Sequence, residues 1–229
     1  MGLIAQLRSR IGRVLKILCA RHALVLAPYG FGDRRNRLQE FLRVSETRPL
    51  LLDPAEACQL ISALRATERI DGDVAEVGVA YGASARLMAS HLGDRTIHLF
   101  DTFEGLPQPG GWDSAKFEKG NFQCGLESVR EYLRGLPVVY HKGLFPDSAA
   151  TARDLRFSFV HLDVDLYEST LEGLKFFYPR LCPGGILISH DYLTSTGVDR
   201  AFAEFFEDKP EPVIELTGYQ AMMVKLSSS

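Results

Sequence analysis

Three carboxylates fall within six positions of HLDVDLYEST, residues 161–170: Asp163, Asp165 and Glu168. They follow a mostly apolar run, Phe157 to Leu162, that reads as a buried strand. A further acid, Asp191, stands beside His190 in ILISHDY, at the end of another apolar run. If those strands are neighbours, their ends lie about 5 Å apart. Carboxylates and one imidazole then converge on one spot, where like charges repel. A divalent cation relieves that repulsion. Oxygen donors with one imidazole suit magnesium, manganese or another first-row metal. Glu168 fits the ordinary task of charging the first turn of the next helix.

A second constellation is EVGVAYGAS, residues 76–84. Gly78 and Gly82 bracket a strand-to-helix turn, where glycine tolerates unusual backbone angles and lets a ligand come close. The spacing is GxxxG, not the GxGxxG of dinucleotide enzymes. Ser84 can cap the helix or bond a ligand. Asp101 ends the next strand in HLFDTFEGLP, where an acid can accept both hydroxyls of a ribose. With Glu76 inside the first strand, these residues point to a nucleoside-bearing cofactor. A nicotinamide dinucleotide needs the fuller glycine fingerprint for its pyrophosphate. S-adenosylmethionine has no phosphate, so the looser loop suffices. His141 and His161 stand apart from the paired acids and read as strand histidines satisfied by neighbours.

The elements that must carry these groups alternate. Residues 54–69 read as a helix with Pro54 in its first turn. Strands are expected over 74–79, 96–103, 138–141, 157–163 and 186–189, and helices over 83–92, 126–133, 169–181 and 198–207. A polar, glycine-rich loop with Trp112 spans 104–124. Two apolar runs, 213–216 and 221–226, flank Thr217-Gly218-Tyr219 and suggest a hairpin. Such alternation implies a parallel, doubly wound α/β sheet, with ligands beyond the carboxyl ends of its strands.

The 229 residues suit one α/β domain with a small appendage. A net charge of −3 gives no support to nucleic-acid binding. The four cysteines are far apart, which argues against a zinc site or a disulfide framework and for a reducing, cytoplasmic location. No apolar run is long enough to span a bilayer. Leu3, Ile4, Leu7, Ile11, Leu15 and Leu18 recur at helical spacing, with Arg8, Arg10 and Arg13 on the other flanks. That basic helix covers the domain, forms a homo-oligomer contact or rests peripherally on an anionic membrane.

EVGVAYGAS, FDTFEGLP, KGLFPDS, HLDVDLYEST, PGGILISHDY and GVDRAFAEFF occur in the order seen in the TylF/MycF family, which this chain resembles from about residue 70 to 226. These are metal-dependent O-methyltransferases of deoxysugars. The resemblance implies a class I S-adenosylmethionine-dependent methyltransferase fold, Rossmann-like, with a seven-stranded mostly parallel sheet and a C-terminal antiparallel hairpin. It implies a magnesium ion holding two adjacent sugar hydroxyls, with ligands at Asp163, Asp191 and position 190. Members often carry a second aspartate at that last position, where this chain has His190. Asp165 is the implied general base. Cofactor contacts are expected from Glu76, Gly78, Tyr81, Gly82, Ser84, Asp101 and Ser148. Residues 1–70 are then a helical cap or lid, and 71–229 the methyltransferase domain. The expected acceptor is a small molecule or glycan carrying a vicinal diol. Two other readings are a nicotinamide-dependent sugar oxidoreductase or epimerase, which lacks its Tyr-x-x-x-Lys pair here, and a non-catalytic, membrane-associated scaffold.

Overall fold

The computed structural model describes Cys19 and residues 32–227; the expected basic helix over residues 3–18 lies outside them. The chain divides into two compact units, Met1–Leu38 and Gln39–Ser229. Helix α1, Arg34–Ser45, begins in the first. The second carries the sheet. Helix α2, Pro54–Ala66, belongs to it and buries Leu60, Ile61 and Leu64 completely or nearly so. Its first turn is closed by Glu56, whose carboxylate accepts the Asp53 N–H at 2.7 Å.

Strand and helix then alternate as β1 (Asp73–Val77), α3 (Ala83–Ala89), β2 (Ile97–Asp101), α4 (Leu126–Tyr132) and β3 (Val138–Lys142). A short 3₁₀ turn, Asp147–Ala152, leads to β4 (Phe157–Leu162), α5 (Tyr167–Phe177), β5 (Leu181–Ser189) and α6 (Thr196–Phe206). A hairpin of β6 (Ile214–Glu215) and β7 (Ala221–Val224) follows. The sheet order is β3-β2-β1-β4-β5-β7-β6. The first five strands run parallel, and β7 is antiparallel to both β5 and β6. This is the expected sheet, hairpin included. The direction of winding reverses between β1 and β4, so ligands belong above that junction.

Both faces of the sheet are covered, and successive residues feed opposite cores. Val74, Leu99, Phe159 and Ile188 join one apolar cluster. Ala75, Phe100, Val160 and Leu187 join the other. Several boundaries differ from expectation, two of them by four or more residues. Helix α5 ends at Phe177 rather than 181: Tyr178 still has helical angles and donates to the Leu174 carbonyl, but Pro179 has no N–H with which to continue the ladder. Strand β5 begins at Leu181 rather than 186. Leu181 pairs with Phe157, and the register shifts across Pro183-Gly184-Gly185 before Ile186 meets Phe159.

A chain of hydrogen bonds crosses the base of β2 and β3. Asp73 Oδ2 meets His98 Nε2 at 3.2 Å, His98 Nδ1 meets His141 Nε2 at 3.0 Å, and His141 Nδ1 meets Thr151 Oγ1 at 3.2 Å. Phe100 stacks on the His141 ring at 4.2 Å. Burial and the neighbouring His98 push His141 down to about 4 from 6.5. The unfolded chain therefore takes up this proton near pH 6.5, the folded one only near 4. The resulting stability is complete above pH 6.5 and lost as pH falls towards about 4. Urea midpoints across that window should fall, and the slope should be shallower in His141→Gln.

Candidate active site

The carboxyl ends of β1, β2, β4 and β5 rim a cavity of about 240 Å³. Its floor is the turn after β1. The Gly78 N–H donates to the Phe100 carbonyl at 3.0 Å, and the Asp163 N–H to the Val77 carbonyl at 2.9 Å. Gly78 has φ +84°, and a Cβ there would overlap the carbonyl oxygen of Asp163. The glycine is required twice, for its backbone angle and for that close approach. Gly78, Tyr81, Ser84 and Asp101 line the cavity, and Gly82, at φ +80°, opens α3 behind them.

Asp101 joins two loops. Its Oδ2 accepts the N–H groups of Val79 at 2.7 Å and Ala80 at 3.1 Å. Its Oδ1 accepts the Phe103 N–H at 2.6 Å. Glu76 and Ser148 stand outside the cavity wall. Glu76 is fully buried and meets His161 Nδ1, its cross-strand neighbour, at 3.0 Å. Burial pushes its carboxyl above the usual range, and the bond to His161 works against that rise. The outer oxygen of Glu76 and Nε2 of His161 have no hydrogen-bond partner. Ser148 packs beneath Gly143, a wall residue, with its own hydroxyl buried.

The acids gather at the other end of the cavity. Leu162 pairs with Ser189, so Asp163 and His190 leave neighbouring strands side by side. His190 Nδ1 lies 3.4 Å from Asp163 Oδ1 and 3.1 Å from Asp191 Oδ2. One donor atom from each of Asp163, His190 and Asp191 falls within 4.8 Å of the others. Two ligands about 2.1 Å from one ion and at right angles are about 3 Å apart, so this spacing fits a shared cation. Asp165 completes the group. Burial and the charges of Asp163 and Asp191 push its carboxyl up to about 9. Burial also opposes a charged His190, but Asp163, Asp191 and Glu56 outweigh it and raise the imidazole well above its usual value. Asp165 and Asp191 both have φ +61°, a backbone region costly for residues with a Cβ.

Two groups at the site are absent from the sequence reading. Glu56 reaches His190 from α2 at 3.4 Å, although it reads in sequence only as a helix-start residue. Asp113, in the long loop, accepts the Tyr167 N–H at 2.7 Å and so caps α5. There Arg200 stacks on Trp112 at 3.6 Å and the Thr196 hydroxyl donates to the Trp112 carbonyl at 3.0 Å. Only the tertiary fold brings these partners together. Glu168 occupies the first turn of α5, as expected.

A family model described as macrocin O-methyltransferase (TylF) matches residues 56–218. The 8-demethyl-8-(2,3-dimethoxy-alpha-L-rhamnosyl)-tetracenomycin-C 4'-O-methyltransferase of Streptomyces olivaceus is 36% identical over 141 residues, 54% of either chain. The mycinamicin III 3''-O-methyltransferase of Micromonospora griseorubida is 34% identical over 150 residues, 57% of this chain and 58% of its own. The chain thus spans about half the length of these curated relatives. Among solved structures, the O-methyltransferase NovP superposes with a TM-score of 0.67 at 25% identity, covering 74% of this chain and 78% of that one. The calicheamicin methyltransferase CalS11 gives 0.63 at 18%, over 86% and 94%, a likeness of fold alone. The fold is that of class I S-adenosylmethionine-dependent methyltransferases.

The seat of Gly78 on Asp163 can be tested. Gly78→Ala should cost more than about 4 kcal/mol in chemical denaturation. Gly93→Ala, also at positive φ but with nothing within 4 Å, should cost only about 1–2 kcal/mol.

Proposed function

The chain belongs to the TylF family of macrocin O-methyltransferases, and from that premise we propose that it transfers a methyl group from S-adenosylmethionine to a sugar hydroxyl of a glycosylated small molecule, with a divalent metal ion. The observation that carries this reading is the meeting of Asp163, His190 and Asp191 at the rim of the glycine-loop cavity. The two relatives, an O-methyltransferase of a rhamnosyl-tetracenomycin and one of mycinamicin III, support the acceptor class.

Gly78, Tyr81, Ser84 and Asp101 line the part of the cavity that would hold the cofactor, while Glu76, Gly82 and Ser148 shape it from behind. Asp163, His190 and Asp191 would hold the ion. When bound, the cofactor supplies an electrophilic methyl group and the ion lowers the pKa of an acceptor hydroxyl, best one of a vicinal pair. Asp165 would accept the hydroxyl proton on its carboxylate. With its pKa at about 9, it holds a proton near neutral pH unless Asp163 and Asp191 are neutralised. Leu106 and Phe122, from the loop anchored at Trp112 and Asp113, wall the cavity and limit water at the reacting centre.

Two outcomes follow from this assignment. Asp163→Asn should bind S-adenosylmethionine within about threefold of the parent, since it leaves the glycine loop intact. Transfer of labelled methyl groups to a panel of rhamnosylated small molecules should drop at least about 100-fold. Unchanged transfer would overturn the reading. Chelation with EDTA should abolish transfer in the parent protein, and added divalent ion should restore it.

A further inference from the structure

Glu56 is 1% exposed, yet it serves three separate elements. Its Oε2 accepts the Asp53 N–H at the start of α2, and its Oε1 accepts the Tyr219 N–H in the turn of the β6–β7 hairpin, both at 2.7 Å. The turn is closed tightly on it: a Cβ on Gly218 would overlap Oε1. Oε2 also lies 3.4 Å from His190 Nε2. Burial raises the cost of charge on this carboxyl, but His190 and the two N–H groups outweigh it and hold it below the usual range. A helix cap needs no such depth. Its reach to the imidazole is the unusual part.

A neutral imidazole bonded to a carboxylate through one nitrogen carries its proton there and can offer the lone pair of the other nitrogen to a metal ion. The carboxylate on Nε2 therefore holds one ring proton in place, and the proton on Nδ1, the atom facing Asp163 and Asp191, is the one a cation would displace. Outer carboxylates of this kind orient metal-bound histidines generally. A nitrogen donor among oxygens also favours first-row transition ions over magnesium, which prefers oxygen alone.

We propose that Glu56 is a positioning residue for the cation site, holding His190 with Nδ1 towards Asp163 and Asp191, and that the site so built takes manganese in preference to magnesium. This rests on the reading of Asp163, His190 and Asp191 as the ligands of a divalent ion. Manganese and magnesium titrated separately into the full chain, followed by calorimetry, test it without any turnover. The parent should bind manganese at least about tenfold tighter than magnesium. Glu56→Gln should weaken manganese binding about 10- to 100-fold and narrow that preference. In a His190→Asp background the sign should change. There Glu56 would face a carboxylate, so Glu56→Gln should leave manganese affinity unchanged or improve it.

Equal losses in both backgrounds would show that Glu56 merely supports the fold, and would overturn the proposal. So would an unchanged affinity in Glu56→Gln, or magnesium bound as tightly as manganese by the parent. If the parent binds neither ion and Asp163→Asn changes nothing, the ligand reading itself falls and this proposal with it. Should Glu56→Gln fail to fold, Glu56→Asp keeps the charge, withdraws it from His190 and serves the same comparison.

Discussion

The arrangement depends on carboxylates held closer than their charges favour. Asp163, Asp165 and Asp191 share the space around one imidazole, with Glu56 against its far side. Like charges in a partly dry site repel, and nothing local in their own strands attracts them to one another. The surrounding chain imposes the proximity. Parallel pairing of β4 with β5 fixes where Asp163 and His190 emerge. The turns beyond them then bend through left-handed angles at Asp165 and Asp191, each costing roughly 1–3 kcal/mol. Those bends are pinned: the Ser195 hydroxyl donates to the Asp165 carbonyl at 2.8 Å, and the Ser195 N–H to the Asp191 carbonyl at 2.9 Å. Strain and repulsion at this edge are offset by the two apolar clusters beneath it.

The glycine loop and the acid edge are one rigid assembly. Gly78 rests on the carbonyl of Asp163, so the residue that shapes the glycine turn touches the backbone of an acid proposed as a cation ligand. Asp101 ties that turn to the loop after β2, and the loop continues to Trp112 and Asp113, which brace the starts of α5 and α6. The glycine turn, the acid cluster and the loop wall of the cavity are thereby tied to one another. Positioning is the main contribution a protein makes to group transfer between two bound molecules.

Much of this was legible in the residues. Alternating apolar runs and breakers gave strand and helix types, and the strand ends carried Asp101, Asp163 and Asp191, because ligand-edge acids interrupt buried runs abruptly. Gly78 stood out for the same reason. What stayed hidden involves distance along the chain. Glu56 lies 134 residues from His190 and 163 from Tyr219, and its local pattern is only that of a helix start. Asp113 sits in a loop with no periodicity to place it. Glu76 suggested a cofactor contact because it precedes the glycine turn, yet alternation points its side chain towards His161 within the sheet. Pro179, which ends α5, was readable and was outweighed by the louder Pro-Gly-Gly that follows it.

The hairpin has a bearing on how the protein matures. Strand β7 is the last element of the sheet in chain order, yet it lies between β5 and β6 and supplies the outer neighbour of the strand that presents His190. During translation, at about 5–20 residues per second, β1 to β5 can assemble while that flank of β5 is still bare. Glu56 waits for the Tyr219 N–H over the same interval. Ribosome-bound intermediates shorter than about this point would therefore display a nearly complete sheet whose acid cluster still lacks its outer support, and an unpaired edge open to chaperones or to other nascent chains.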